Sequence, residues 1–238
     1  MNALDAEMFS ALGRAAQDLA VDPSLRCVVM SGEGRSFCAG LDFSSFQGMA
    51  DEPSDTGGSY DEAVGAAFAA IELLAKPVIA LIHGFCIGGG LAIAAAADIR
   101  YAADDAQFGL PPARLGIGYS ATGTGKLVDL LGPSVTKEII FTANWYDAET
   151  ALRWGLVNNV LAKADLDEFV AGQAAVIASR APLSQRAAKL AVADHLRSPE
   201  QRRPDLVAEA IKACSTSEDF AEGVSSFMEK RKPIFRGR

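Results

Sequence analysis

Apolar residues at the start of the chain recur at helical spacing. Leu4, Met8, Leu12 and Leu19 fall on one face, Asn2 and Asp5 can cap the start, and Pro23 closes the segment. This predicts a helix over residues 3–20 that ends near Val21. The period then changes. The run from Leu25 to Met30 is short and β-branched and is bounded by Ser31-Gly32-Glu33-Gly34, which predicts a buried strand feeding a loop. Residues 50–59 collect Asp, Pro, Ser and Gly as a mobile surface stretch, and Ser59 with Glu62 three residues on reads as a capping box opening a helix that runs to about Ala75. Pro77 starts an apolar strand, Val78–Ile82, followed by a glycine turn and an alanine-rich helix over 91–97. Short strands follow at Ile99–Ala102 and Ala106–Gly109, then a loop and helix start between Pro111 and Gly125, and helical sequence after Pro133. Helical periods fill 165–178, 183–196, 205–214 and 218–231, so the last third forms a helical layer on an α/β body. No repeat is visible along the sequence.

Two of the predicted strand-to-helix turns are rich in glycine: Ala39-Gly40-Leu41-Asp42 and Gly88-Gly89-Gly90. Glycine lets a backbone approach a ligand closely and leaves its N–H groups unshielded. The second turn leads straight into a helix, where free N–H groups and the positive end of the helix dipole point at one spot. An oxygen acquiring negative charge would be stabilised there. A lone triple glycine is equally explained by a tight turn, so the order of both turns and the sequence between them carries the argument.

That order is Ser31 through Asp42, then Pro77-Val78-Ile79-Ala80, then Gly84 through Gly90, then Ala97 through Ala102. It continues in Ala106-Gln107-Phe108-Gly109, Leu115-Gly116-Ile117, Ala151 through Val157, Glu222-Gly223 and Phe227 through Arg231. Taken together, these blocks resemble the crotonase (enoyl-CoA hydratase/isomerase) superfamily across nearly the whole chain. The resemblance implies an α/β crotonase fold, a spiral of β-β-α units with two roughly perpendicular sheets. It implies an acyl-CoA site in residues 1–180 and a C-terminal helical region, residues 181–238, that builds a homotrimer or a dimer of trimers. Leu41 and Gly89 become the two N–H donors to a thioester oxygen. Ala39 lies beside the adenine, Arg35 is a candidate for the coenzyme A phosphates, and Phe227 and Lys230 reach the coenzyme A of a neighbouring subunit. Coenzyme A enters as part of the substrate, and no tightly bound cofactor is implied. Met1-Asn2-Ala3-Leu4 matches a segment that family members precede by two strands, so the opening hairpin is expected to be missing and one edge of the first sheet unpaired.

The acids are where the chain departs from its resemblance. Hydratases of this type carry one Glu in the helix after the triple glycine and another just after the Phe-Gly strand. Those positions here are Ala92 and Pro112, neither of which can move a proton. Pro112 also removes the single acid of the isomerases, and no acid stands near Ser120, where the dienoyl isomerases add one. Tyr119 remains near the expected reaction centre, with His83, Cys86, Ser120, Thr122 and Asp42 close in sequence. Its setting, Pro112 through Tyr119 followed by Lys137 through Ala143, is similar to the methylmalonyl-CoA decarboxylase branch, in which a tyrosine at this place serves the site. Decarboxylation needs chiefly an oxyanion hole. Tyr119 also reads as a ring filling the acyl pocket. His83 reads as a buried histidine satisfied by backbone, Asp42 as a helix cap, and Asp98 as a polar residue joining two elements. Three functions stay open: a hydratase/isomerase-family enzyme of unknown reaction, an enolate-forming lyase using Tyr119, and an acyl-CoA binder without chemistry.

Composition narrows the partners. Half of the 238 residues are hydrophobic and the formal charge is −8, which suits a globular core and opposes binding to nucleic acid. The longest apolar run, Phe85–Ala97, is broken by glycines and is well short of the roughly 20 residues that span a bilayer. No leader pattern follows Met1, so a cytoplasmic location is expected. Cys27, Cys38, Cys86 and Cys214 are widely spaced, as expected for reduced thiols without a disulfide or a metal site.

Overall fold

In the computed structural model, residues 1–41 and 65–238 are described. The predicted Ser59–Glu62 cap, the 50–59 stretch and Asp42 lie outside them. The chain opens with α1 (Ala6–Val21), capped by the Asp5 carboxylate, which accepts from the Met8 N–H at 2.8 Å. Asn2 does different work. Its side-chain amide donates to the carbonyls of Glu33, Ser36 and Phe37 at 3.0, 2.8 and 3.1 Å, pinning the N-terminus onto the loop after the first strand. The buried face of α1 is also rotated from the predicted one. Phe9 is 1% exposed whereas Met8 is 42% exposed. Phe9, Leu12, Ala16 and Leu19 keep helical spacing, and the larger aromatic side chain takes the core position.

Along the rest of the chain lie β1 (Val28–Ser31), helix α2 at 65–72, β2 (Val78–Ile82), β3 (Phe85–Ile87), α3 (Gly89–Ala96), β4 (Ile99–Ala103) and β5 (Gln107–Gly109). They are followed by α4 (Pro112–Leu115), α5 (Ala121–Thr142), β6 (Tyr146–Asp147), α6 (Ala148–Trp154) and β7 (Asn159–Leu161). Four helices end the chain: α7 (Lys163–Ala178), α8 (Pro182–His195), α9 (Pro204–Ser215) and α10 (Glu218–Met228). Their bounds fall within a few residues of those predicted from periodicity. The last one stops early because Lys230 takes a left-handed conformation, φ 55°.

One sheet has the order β1-β2-β4-β7, all parallel, and the other β3-β5-β6. The units β2-β3-α3 and β4-β5-α4 each give one strand to either sheet and then a helix, and a parallel bridge between Cys38 and Cys86 brings the β1 segment into the second sheet in the same way. This is the β-β-α spiral of the crotonase fold. β1 departs from the buried strand expected: it alternates between half-buried and exposed, while all five residues of β2 are buried. β2 is covered by strands on both sides, whereas no described residue pairs with the outer edge of β1. The short β6, α6 and β7 were not predicted, although α6 carries both of its signals: Asp147 accepts from the Thr150 N–H at 2.8 Å, and Gly155 closes the helix in the left-handed region.

The main core packs α1, α2, α3 and the inner faces of both sheets, and a smaller cluster seats Leu166 and Val170 of α7 on Ile79, Leu81 and Ala103. Asp98 joins elements as expected. Its carboxylate accepts from the Val78 N–H at 2.7 Å and from the Lys189 ammonium at 2.8 Å, tying α8 to the start of β2. At the far end, Asp219 accepts from the Arg236 and Gly237 N–H groups, and Glu222 accepts a two-pronged contact from Arg231, so the tail folds back along α10. Among the described residues no helix is long and apolar enough to cross a membrane.

A buried arginine holds α3 in place. Arg100, 5% exposed, donates from Nε to the Leu156 carbonyl at 2.8 Å and from Nη1 to the Ala97 carbonyl at 2.6 Å, while its own N–H reaches Asn158. A cation at the C-terminal end of a helix suits both the unpaired carbonyls and the dipole. Arg100→Met should therefore destabilise the fold by about 2–4 kcal/mol, because it strands those carbonyls in the core. Urea unfolding measures this, and a change below roughly 0.5 kcal/mol would show the guanidinium to be dispensable.

Candidate active site

The site begins where residues 37–38 zip alongside residues 83–87. The Phe37 N–H donates to the His83 carbonyl, the Cys38 N–H to Phe85, and the Ile87 N–H returns to the Cys38 carbonyl, at 2.8–2.9 Å. The chain can stay this close into the next turn only because Gly40 has no side chain. A Cβ there would stand 2.9 Å from the Ile87 carbonyl oxygen and 3.6 Å from the Gly89 nitrogen, and φ is +92°. Gly88 supplies the sharp entry to α3, with φ 55° and ψ −117°, a combination open essentially to glycine. Gly90 is required for a different reason: its Cβ would lie 2.6 Å from the Cys38 carbonyl oxygen.

Leu41 and Gly89 are thereby set side by side. A Cβ on Gly89 would lie 3.6 Å from Leu41 Cδ2. Neither residue's N–H donates to any acceptor among the described residues. Gly89 also opens α3, so the dipole of that helix adds to its own N–H.

A cavity of about 150 Å³ adjoins this pair. Its described lining includes Ala39, Gly40, Leu41, Gly88, Gly89, Ala92, Pro112 and Tyr119, so the two glycine turns and both positions expected to lack their acids meet at one place. Buried Phe9 and Phe68 line the interior, and half-exposed Leu115 and Ile117 line the solvent side. No Asp, Glu, His, Lys or Arg is among the described lining residues.

Tyr119 is the polar exception. Its hydroxyl is buried and has no hydrogen-bond partner among the described residues. Burial, with a smaller contribution from the neighbouring Cys86 thiol, pushes the phenol well above its ordinary pKa, so it stays protonated. The ring is held by the first turn of α5, where a Cβ on Gly123 would come 2.7 Å from Tyr119 Cε1. Ser120 also lines the cavity, but its Oγ accepts from the Gly123 N–H at 3.1 Å and serves as the cap of α5.

The remaining sequence candidates lie elsewhere. His83 is half-buried rather than buried, with Nε2 3.0 Å from the Gly34 carbonyl oxygen, and does not line the cavity. Thr122 is exposed on α5, and Cys86 is fully buried in β3, where burial raises its thiol well above the usual pKa. Arg35 is exposed and ion-pairs with no described residue. Phe227, 82% exposed, and Lys230 sit at the end of α10, and neither lines the cavity. The sequence reading missed Phe9 and Phe68. The heptad-like spacing of α1 carried the signal for Phe9, but Met8 stood beside it.

The fold and the cavity at paired glycine turns define a class, and comparison with known proteins names it. The chain matches the enoyl-CoA hydratase/isomerase family model over residues 1–238 and belongs to that family. It is 34% identical to the crotonyl-CoA hydratase of Syntrophomonas wolfei over 236 residues, 99% of this chain and 90% of that protein. It is also 34% identical to the carnitinyl-CoA dehydratase of Salmonella typhi, over all of this chain and 91% of that one. Among solved structures, an enoyl-CoA hydratase/carnithine racemase from Magnetospirillum magneticum superposes with a TM-score of 0.93 at 30% identity, covering 99% of this chain and 88% of the other.

The glycines differ in what they tolerate. A Cβ on Gly89 would press only on the movable end of Leu4, at 3.0 Å from Cδ1, whereas one on Gly90 meets the Cys38 backbone. Gly89→Ala should fold with little loss of thermal stability, and Gly90→Ala should lower the melting temperature markedly or fail to accumulate as soluble protein. Equal melting temperatures for the two variants would refute this account of the turn.

Proposed function

We propose that this chain is an acyl-CoA lyase that cleaves a carboxylate from the α-carbon of a short 2-carboxyacyl thioester, holding the enolate on the Leu41 and Gly89 N–H groups. One observation carries the proposal: the cavity beside two N–H groups that donate to no described residue has no carboxylate or imidazole among its described lining residues, which offer the Tyr119 phenol, without a described partner, and the capping Ser120 hydroxyl. Hydration and isomerisation require a positioned acid or base. Decarboxylation does not, because the group that leaves is CO₂ rather than a proton.

The electrons balance without a base. The bond from the α-carbon to the carboxylate breaks, CO₂ departs, and the electron pair delocalises onto the thioester oxygen. Two backbone donors receive the charge there, in a site of low polarity where each is worth more than in water. Apolar walls solvate a carboxylate poorly and CO₂ well, which favours the same direction. The enolate then takes a proton at the α-carbon. Tyr119 is the donor, since its phenol is neutral and unpaired among the described residues, and it recovers its proton from solvent.

Coenzyme A would extend from this cavity past Ala39, with Arg35, exposed and unpaired among the described residues, meeting its phosphates. Phe227 and Lys230 would complete the site of a neighbouring copy in a trimer. The outward face of α10 supports this assembly, because Phe220, Val224, Phe227 and Met228 stand in helical register and are all exposed.

Incubation with methylmalonyl-CoA, malonyl-CoA and crotonyl-CoA, followed by mass analysis, tests the reaction. A 2-carboxyacyl thioester should lose CO₂, while hydration of crotonyl-CoA should fall below that of two-carboxylate hydratases by ~10²–10⁴ for each missing role. Tyr119→Phe should slow formation of the protonated, decarboxylated thioester about 100-fold yet leave the melting temperature equal or higher, because it removes a buried hydroxyl that has no partner among the described residues. Brisk hydration without CO₂ loss would overturn the proposal, as would acyl-CoA binding without turnover of any of the three. An unchanged rate in Tyr119→Phe would reduce Tyr119 to a wall.

A further inference from the structure

The cavity has a built inner end. Phe9 of α1 and Phe68 of α2, 1% and 5% exposed, both line it. Their rings meet edge to face, with centroids 6.2 Å apart and planes at 82°. Each ring limits the other's rotation, because swinging one aside sacrifices the contact and overlaps a packed core. The stop also lies close to the proposed oxyanion hole. A Cβ on Gly89 would sit 3.8 Å from Phe9 Cζ, one van der Waals contact away.

The size of the cavity sets a limit. It holds about 150 Å³, and a dry apolar cavity of about that volume in another protein accommodates benzene, a ligand of roughly six heavy atoms. An acyl group of about four carbons fills such a space. A longer chain has to displace one of two interlocked aromatic rings.

We infer that Phe9 and Phe68 form an aromatic stop that restricts this chain to short acyl thioesters, and that Phe68 sets the length accepted. The inference rests on the cavity being the acyl pocket, but not on the reaction that follows. Lengthening the chain past the stop gains no burial of apolar surface and costs repacking, so affinity falls with length instead of rising by the usual increment per methylene.

Calorimetric titration with saturated straight-chain acyl-CoAs, from butyryl through hexanoyl and octanoyl to decanoyl, reads this without any chemistry. In the unaltered chain, octanoyl-CoA should bind at least about ten-fold more weakly than butyryl-CoA. In Phe68→Leu and Phe68→Ala, each checked for folding by circular dichroism, the octanoyl-to-butyryl affinity ratio should rise at least about ten-fold. Phe68→Leu preserves most of the core volume and decides the matter if the alanine variant does not fold. Affinity that is level or rises with chain length in the unaltered protein overturns the stop, as does an unchanged ratio in a folded Phe68 variant. If no thioester binds, the acyl-CoA reading and the stop fall together. If butyryl-CoA binds selectively and no 2-carboxyacyl thioester loses CO₂, only the lyase reading falls.

Discussion

The site depends on how closely two strand-to-helix turns approach each other. Cys38 and Cys86 pair across the join, and beyond them the two backbones run nearer than side chains would allow: Gly40 lies against the Ile87 carbonyl and Gly90 against that of Cys38. With ordinary residues at these positions the turns would part and Leu41 and Gly89 would no longer face one space. The helix that starts at Gly89 is fixed at both ends. Its start is wedged by these contacts, its middle is rooted by Leu91 and Ala94 with no exposure at all, and its end is capped by the Arg100 guanidinium. Preorganisation of this kind lets backbone dipoles stabilise charge without reorganising when it forms.

What surrounds those dipoles decides the chemistry. The chain carries a formal charge of −8, yet the described lining of the cavity holds no carboxylate, imidazole, ammonium or guanidinium, only aliphatic and aromatic surface, the capping hydroxyl of Ser120 and one phenol kept neutral by burial. A fold shared with hydratases and dehydratases can host different reactions, since function resides in the side chains that face the site and not in the scaffold. Ala92 and Pro112, which face this cavity, carry no group that moves a proton. Among the described residues, Tyr119 lines it with a hydroxyl that has no partner.

Much of the architecture was legible from local signals. The C-terminal helices could be bounded from their 3.6-residue period, the first helix from Asp5 and Pro23, and both turns from their glycines, because caps, breakers and periodicity act over a few residues. The residues the resemblance assigned to the oxyanion hole, and the two positions it found without acids, do line one cavity. The role of Asp98 as a joint was also readable, since a carboxylate between a helix and a strand has few other partners.

The rest was decided by which segments meet. His83 and Gly84 are all that separate β2 from β3, and nothing local tells that these strands enter different sheets. The exposure of β1 goes with its having a strand neighbour on one side only among the described residues, not with its own composition. Met8 and Phe9 are adjacent on α1, and the choice of Phe9 for the interior was made by Phe68, from another helix, whose ring it meets edge to face. Arg100 looks in sequence like an ordinary strand residue and becomes a buried cap only because the ends of three elements converge on it. That no described residue reaches the Tyr119 hydroxyl is likewise a property of its surroundings and not of its local sequence. The sequence alone determined the turns and the helices, because each is written within a few residues, and its family resemblance marked Ala92 and Pro112 as positions without acids. The tertiary structure decided burial, the edge-to-face contact of Phe9 with Phe68 and the lack of a partner for the Tyr119 hydroxyl among the described residues, because each is a relation between residues distant along the chain.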